Sequence, residues 1–311
     1  MNIALDMMGG DFAPEMALKG VKKFLDEHEF DGTITMLGDN RQLSDNLHLF
    51  QNNQNKIKII PTTQVIEMNE HPTRALKEKT DSSITVGFHL LAQGNTDAFI
   101  SAGNTGAMMV GAMYTIKSIE GIIRPAIGAY IPQEDGKLSL LIDVGLNADC
   151  RAENLLQFAI LGSLFSKYIL RINEPRVALL NVGEEEGKGN LISQAAYPLL
   201  KENDKIHFVG NAEGRDLLKD KADVYVCEGF TGNVLLKFAE SFYDLFQKRK
   251  IKDAYLEKFN FEMYGGVPVL GVNKPVIIGH GISGEAAFCN MIEIARRMIE
   301  KNFTETVKNA F

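Results

Sequence analysis

The stretch Phe99-Ile-Ser-Ala-Gly-Asn-Thr-Gly106 decides how the chain is interpreted, because an apolar run ends there in small residues and an apolar, helix-like run follows. This pattern predicts a strand, a tight turn and the start of a helix. Gly103 and Gly106 permit close backbone approach, while Asn104 and Thr105 can cap a helix and donate hydrogen bonds from short side chains. The free N–H groups of such a helix start predict an anion site, and a turn that holds no ligand is the alternative.

Similar turns recur along the chain where other apolar runs end, and most of them lead into helical patterns. They are Asp143-Val-Gly-Leu-Asn147, Asn181-Val-Gly-Glu-Glu-Glu-Gly-Lys-Gly-Asn190, Val209-Gly-Asn-Ala-Glu-Gly214, Glu228-Gly-Phe-Thr-Gly-Asn233 and Gly279-His-Gly-Ile-Ser-Gly284. The alternation of strand and helix predicts an α/β fold with three layers, α/β/α, around a mostly parallel or mixed central sheet. Since ligands bind at the carboxyl ends of parallel strands, the turns predict one shared polar pocket. We expect residues 1–311 to form a single domain, or two intertwined subdomains that share one sheet.

Charge and cysteine content narrow the class of function. The formal charge of −7 argues against a nucleic-acid binder, because such proteins neutralise many phosphates with basic residues. No secretory signal begins the sequence, and no window approaches the roughly 20 apolar residues of a membrane span, so we expect a cytoplasmic protein. Cys150, Cys227 and Cys289 are far apart and form no CxxC pair, which predicts free thiols and no metal site built from them.

Two glycine-rich motifs resemble nucleotide sites without meeting their requirements. Gly279, Gly281 and Gly284 form a literal GxGxxG, but no further strand with an acidic residue follows, as a dinucleotide fold requires. The segment 183–188 resembles a P-loop but is one residue shorter than that motif, and Gly189 stands where Ser or Thr would bind Mg²⁺. We therefore expect no nucleotide cofactor, while Lys188 after a glycine is placed to meet one small anion.

Motifs from nearly the whole chain resemble those of the bacterial acyl-ACP:phosphate acyltransferases of phospholipid synthesis, the PlsX family, in the family's order. They are Asp6-Met-Met-Gly-Gly-Asp11, Ser101-Ala-Gly-Asn-Thr-Gly-Ala107, Gly121-Ile-Ile-Arg-Pro-Ala126, Gln157-Phe-Ala159, Leu179-Leu-Asn-Val-Gly-Glu184, Lys188-Gly-Asn190, Phe208-Val-Gly-Asn211, Gly229-Phe-Thr-Gly-Asn-Val234 and Tyr264-Gly-Gly266 with His280-Gly281. The resemblance implies a homodimer with a fold similar to the isocitrate and isopropylmalate dehydrogenases and phosphotransacetylase.

The resemblance also implies a reaction. A fatty acyl group would move from acyl carrier protein to inorganic phosphate, and a downstream acyltransferase would pass the acyl-phosphate product to glycerol-3-phosphate. No cofactor is implied. The alternatives are a phosphotransacetylase-like enzyme that uses acyl-CoA, a dehydrogenase of the related fold, and a non-catalytic regulator that binds the carrier protein.

The segment 240–264 departs from the family pattern, because family members usually carry a longer helical hairpin there. We predict a short helical hairpin that projects from the body of the protein. Aromatic residues flank the basic cluster Lys248-Arg-Lys-Ile-Lys252. Such a pattern suits peripheral contact with a membrane surface or an acidic carrier protein, and a solvated helix end is the alternative.

Phosphate is already largely a dianion near neutral pH, and a thiolate is a competent leaving group. We therefore predict direct attack of phosphate on the thioester, helped by preorganised donors and without an acyl-enzyme. The predicted catalytic residues are Asn104, Lys188, Asn233 and His280. The predicted substrate-binding residues are Asp6, Asp11, Ser101, Thr105, Arg124, Asp143, Asn147, Asn181, Glu184, Lys237 and Ser283. Whether Asp6 and Asp11, which bracket a Gly-Gly turn, bind a cation or only shape the turn stays open.

Overall fold

The computed structural model describes residues 1–260 and 263–311. Residues 261 and 262, which fall within the predicted hairpin, lie outside the described part. The strands are β1 (Asn2–Asp6), β2 (Thr33–Gly38), β3 (Ile57–Pro61), β4 (Ala98–Ser101), β5 (Ala126–Pro132), β6 (Leu138–Ile142), β7 (Arg176–Leu180), β8 (His207–Ala212), β9 (Val224–Val226), β10 (Val267–Leu270) and β11 (Val276–Ile278). The helices are α1 (Glu15–Glu27), α2 (Asn40–Asp45), α3 (Pro72–Glu78), α4 (Ser83–Ala92), α5 (Thr105–Gly111), α6 (Ala152–Tyr168), α7 (Leu191–Lys201), α8 (Gly229–Lys248), α9 (Glu285–Glu300) and α10 (Phe303–Lys308).

The described residues separate into two compact units. Unit 1 contains residues 1–119 and 263–304, and unit 2 contains residues 120–260 and 305–311. That the chain forms one domain, or two intertwined subdomains, stays a prediction.

The strands of unit 1 lie in the order β3-β2-β1-β4-β11-β10, where β10 is antiparallel to β11 and the other pairs are parallel. From β1 the chain moves outward to β2 and β3, and it then returns to form β4 on the other side of β1. Because crossovers between parallel strands are right-handed, this reversal puts α1 and α4 on opposite faces of the sheet. It also creates a switch point between β1 and β4, where ligands bind in open α/β sheets.

The core of unit 1 lies on both faces of this sheet. All four residues of β4 are buried, and so are the last four residues of β1, as expected for strands covered by helices on both sides. Helix α1 packs closely on α9, since a side chain at Gly20 of α1 would clash with Phe288 and the backbone of α9.

The strands of unit 2 lie in the order β5-β6-β9-β7-β8, and β5 is antiparallel to β6 while the other pairs are parallel. The long helix α6 connects β6 to β7 and packs against β6, β7 and β9. Short β9 thus lies between strands that are joined through α6, and its carboxyl end is next to that of β7.

The predicted mixed α/β class is confirmed, and two local predictions are wrong. The spacing of Ile84, Phe88 and Leu91 predicts one surface helix over residues 75–94. Two helices form there instead, because Ser82 starts the second by accepting a hydrogen bond from the Thr85 N–H at 3.2 Å. The sequence pattern predicts a helix from Gly232 to about Lys250, but α8 starts at Gly229, since Glu228 caps it. Strand β10 was not predicted at all. In the described part of the chain, no helix is long and apolar enough to cross a membrane.

Candidate active site

At the switch point of unit 1, a hydrogen bond joins two predicted site residues. Ser101 at the end of β4 donates its hydroxyl to the Asp6 carboxylate at the end of β1, with an oxygen–oxygen distance of 2.6 Å. Asp6 also accepts from the Met8 N–H, and Ser101 accepts from the Gly103 N–H. Burial raises the pKa of Asp6, and the hydrogen bonds from Ser101 and the loop backbone oppose that rise. The pair therefore fixes the two loops that follow β1 and β4.

Both polar atoms of the Asn104 side chain form hydrogen bonds with the protein backbone. Its Oδ1 accepts from the Ala107 N–H and caps α5, while its Nδ2 donates toward the carbonyls of Glu67, Met68 and Glu70 at 2.8, 3.3 and 3.1 Å. These contacts fix the start of α5 against the segment that precedes α3. Thr105, the first residue of α5, is exposed beside it.

The loop after β11 joins the same edge of the unit 1 sheet. The Asp11 N–H donates to the carbonyl of Gly281 at 2.7 Å, and the His280 N–H donates to the Ser283 hydroxyl at 3.0 Å. Ser283 is buried, whereas Asp11 and His280 are exposed. The loops that carry Asp6, Asp11, Ser101, Asn104, His280 and Ser283 thus share one edge of unit 1.

Asp143 is the buried centre of the first predicted cluster in unit 2. One carboxylate oxygen accepts from the N–H groups of Ile127 at 2.9 Å and Leu146 at 3.3 Å. The other accepts from the backbone N–H of Asn147 at 2.6 Å and from its side-chain amide at 3.0 Å. Burial raises the pKa of Asp143, while these donors favour the carboxylate. The same Asn147 amide donates to the carbonyl of Pro125 at 2.7 Å.

Helix α8 approaches this cluster through its first turns. Asn233 donates to the carbonyl of Val144 at 3.0 Å, and Gly232 lies too close to the carbonyl of Asp143 for any side chain to fit. Lys237 is exposed one turn further along α8. Arg124 donates to the carbonyl of Asp149 at 2.7 Å and is also exposed.

The loop 181–190, the carboxyl-end loop of β7, folds back on itself. Asn181 accepts from the Val182 N–H and donates to the Lys188 carbonyl at 3.0 Å. Gly189 has a φ of +98°, and a side chain there would collide with Asn181. Asn190 then caps α7 by accepting from the Ser193 N–H at 2.9 Å. The hydrogen bond across the loop therefore fixes the backbone on both sides of Lys188.

The charges of this loop are distributed unequally. Glu184 pairs with Lys221 at 2.6 Å, and Glu186 pairs with Lys201 at 3.0 Å, so lysines offset two of the three glutamates. Lys188 is exposed, and over residues 1–260 and 263–311 no ion pair of its ammonium group is seen. Its positive charge is therefore directed to solvent or to a ligand.

Burial makes the three thiols poor nucleophiles. It raises the pKa of Cys150 and of Cys289 to about 11 and that of buried Cys227 well above its ordinary value. Potential metal ligands from Glu27, His28 and Cys289 lie within 4.8 Å of one another, on α1, its C-terminal cap and α9. The Glu27 carboxylate is already paired with a lysine, which weakens that set as a metal site.

Known proteins are similar to this chain along nearly its whole length. Residues 1–306 match the model of a family described as "Fatty acid synthesis protein". A phosphate acyltransferase of Halothermothrix orenii is 41% identical, over 99% of this chain and 98% of the relative. One from Syntrophomonas wolfei is also 41% identical, over 98% and 97%. The chain belongs to the phosphate acyltransferase family.

Solved structures agree with this assignment at the level of the fold. A phosphotransacetylase of Streptococcus pyogenes superposes with a TM-score of 0.66 at 16% identity, over 96% of this chain and 94% of the other. A branched-chain phosphotransacylase of Enterococcus faecalis gives 0.64 at 16% identity, over 96% and 99%. The similarity to the dehydrogenases implied by the sequence stays a prediction.

In this member of the phosphate acyltransferase family, the predicted site residues fall into two groups. Unit 1 holds Asp6, Asp11, Ser101, Asn104, Thr105, His280 and Ser283, and unit 2 holds Arg124, Asp143, Asn147, Asn181, Glu184, Lys188, Asn233 and Lys237. The sequence interpretation missed two residues that build these loops, namely Glu228, which caps α8, and Lys221, which pairs with Glu184. Glu is not among the residues that helix N-caps favour, so the sequence carried no signal for the Glu228 cap.

Proposed function

We propose that the protein transfers a fatty acyl group from acyl carrier protein to inorganic phosphate and releases acyl-phosphate for phospholipid synthesis. The observation that carries the proposal is the match to phosphate acyltransferases over almost the full length of both chains. The fold, which is shared with phosphotransacylases, is consistent with acyl transfer to phosphate.

In the proposed reaction a phosphate oxygen attacks the thioester carbonyl carbon, the C–S bond breaks, and the electron pair leaves on sulfur as the carrier thiolate. Lys188 would attract the phosphate, since its ammonium group is exposed and held on a braced loop. The exposed start of α5 at Thr105 and the exposed His280 would supply further donors to phosphate or to the tetrahedral oxyanion.

Other predicted residues would act by positioning these donors. Asn104, Asn147, Asn181 and Asn233 all donate their side-chain amides to backbone carbonyls of the protein. Direct contact of Asn104 or Asn233 with phosphate would require these bonds to open. We therefore assign both residues, which the sequence interpretation treated as catalytic, to the support of their loops. The raised thiol pKa values favour direct attack over a cysteine acyl-enzyme.

The assay that tests the function is the phosphate-dependent release of carrier thiol from acyl carrier protein loaded with a fatty acid. We expect release with phosphate and none without it. Faster release from acyl-CoA would favour the phosphotransacetylase-like alternative. Reduction of NAD by a hydroxy acid would favour a dehydrogenase, and binding of the carrier without turnover would favour a regulator.

Lys188→Ala tests the phosphate site. Because it removes a charge-assisted hydrogen bond, the KM for phosphate should rise about 10- to 100-fold while the KM for the acyl donor changes little. Lys201→Ala is the matched control, since it removes a lysine that Glu186 already pairs. Equal phosphate KM values in the two variants would remove Lys188 from the phosphate site.

We further propose a homodimer, contact with the downstream glycerol-3-phosphate acyltransferase and peripheral contact with membrane. Exposed Phe238 and Leu245 on α8, followed by the basic cluster 248–252, support a surface that meets lipid or a partner. Co-sedimentation with anionic and neutral vesicles tests the membrane contact, and the mass of the protein in solution tests the homodimer.

A further inference from the structure

A cavity of about 390 Å³ lies in unit 2 at the carboxyl ends of β7 and β9. Its buried lining residues include Leu155 of α6, Leu179 of β7 and Cys227 after β9. Ile192 of α7 and Leu235 of α8 line it as half-buried residues. The carboxyl ends of parallel strands are where open α/β sheets bind ligands, so its position is that of a ligand site.

Three polar residues that line this cavity, Asn181, Asn190 and Glu228, bond to the protein backbone. Asn190 accepts from the Ser193 N–H and caps α7, and Glu228 accepts from the Thr231 N–H at 2.9 Å and caps α8. Asn181 is engaged within its own loop. The Glu228 carboxylate takes the place that an anion would occupy at the start of α8, so the lining suits an uncharged, apolar ligand.

We infer that this cavity holds the fatty acyl chain of the thioester donor, an inference that rests on the proposed function. A methylene group is about the size of a water molecule, whose share of liquid volume is about 30 Å³, so the cavity has room for about 13 methylenes. Val182, Phe230 and Val234 also line it and are 81%, 67% and 53% exposed, which extends the apolar surface to its opening.

The position of the cavity relative to the loop 181–190 supports this occupant. Gly189 and Asn190 line the cavity, and Lys188, the proposed phosphate ligand, directly precedes them. An acyl chain seated in the cavity would therefore end with its carbonyl beside the loop that carries Lys188. A second protein surface could cover Phe230 and Val234, whereas a thin flexible chain can also reach the buried Leu155 and Cys227.

Chain-length preference tests the inference. Leu235→Trp adds bulk to the cavity lining, so the preferred acyl chain should shorten by about two to four carbons, and each methylene that no longer fits should lower kcat/KM about fourfold. Octanoyl-, dodecanoyl- and palmitoyl-carrier proteins are compared as donors. Ile192→Ala enlarges the cavity and should shift the preference in the opposite direction. Leu191→Trp, at an exposed residue of α7 outside the lining, is the matched control and should keep the wild-type profile.

Binding of cis-parinaric acid, a fluorescent fatty acid, provides a readout without turnover. We expect saturable fluorescence that palmitate displaces, with weaker binding in Leu235→Trp and unchanged binding in Leu191→Trp. A wild-type chain-length profile in both Leu235→Trp and Ile192→Ala would overturn the inference. So would an altered oligomeric mass with that profile unchanged, because it would assign the cavity rim to a second copy of the chain. Absence of phosphate-dependent turnover in the wild type would instead remove the proposed function, and the parinaric acid experiment would then decide whether the cavity binds a fatty chain.

Discussion

Asp143→Asn replaces one carboxylate oxygen with an amide group at a buried position, and the structure determines which contacts are lost. Asp143 accepts four hydrogen bonds, two on each oxygen, from Ile127, Leu146 and the two N–H groups of Asn147. An asparagine side chain has one acceptor oxygen. In either orientation, its amide group would face two N–H donors, which cannot bond to it.

The expected cost follows from those two lost bonds. A hydrogen bond to a charged group contributes about 1.5–3 kcal/mol, so the loss of two costs about 3–6 kcal/mol. The neutral amide avoids the desolvation that raises the pKa of Asp143, which offsets part of this cost. We therefore expect a net loss of about 3 kcal/mol in the free energy of unfolding.

Urea unfolding followed by circular dichroism measures this loss. Asp149→Asn is the control, because Asp149 lies in the same loop, is exposed, and makes its contact with Arg124 through its backbone carbonyl. The loss should appear as a lower unfolding midpoint in Asp143→Asn alone. Equal midpoints in the two variants would refute the claim that the four donors stabilise this loop.

Two further predictions concern other titratable groups. The pKa of Asp6 is raised in the folded state, so the native protein retains a proton that the unfolded chain releases. The free energy of unfolding of the wild type, relative to that of Asp6→Asn, should therefore fall as the pH rises from 3.8 to the raised native pKa. The fall should be up to about 1.4 kcal/mol per pH unit. A difference in urea midpoints that stays constant with pH would contradict this. The simultaneous change of Cys150, Cys227 and Cys289 to Ser should leave most turnover intact. Intact-mass measurement of the wild type with acyl donor but without phosphate should find no acylated protein, and an added acyl group that phosphate removes would exclude direct attack.

The α/β class followed from local pattern. Apolar runs that end in Gly, Asn or Ser and restart with helical spacing specify a strand, a turn and a helix through short-range rules, and β4 and α5 formed as the stretch 99–106 predicts. The prediction of a single helix over residues 75–94 was wrong, because hydrophobic periodicity does not reveal a helix cap inside the pattern. Ser82 is such a cap and starts a second helix there. Strand β10 was not predicted, and its sequence Val-Pro-Val-Leu contains a proline, which argues against a strand when only the sequence is considered.

The sequence alone shows which residues lie at the strand ends, since small and polar residues follow each predicted strand. What these residues do depends on long-range contacts. Asn104 has the same local pattern whether it binds a ligand or the protein, and only the approach of the segment 67–70 shows that its amide is occupied. Asp143 likewise becomes a buried acceptor only where Ile127 and Asn147 bring their N–H groups to it.

The sequence by itself determined the fold class, the family and the set of loops that carry polar residues, because these depend on hydrophobic period and on motifs whose members are close in the chain. The tertiary structure alone decided which side chains support a loop and which reach solvent, and it alone formed the apolar cavity. Lining residues as distant as Leu155 and Leu235 share that cavity because β9 lies beside β7, a pairing that no local pattern encodes.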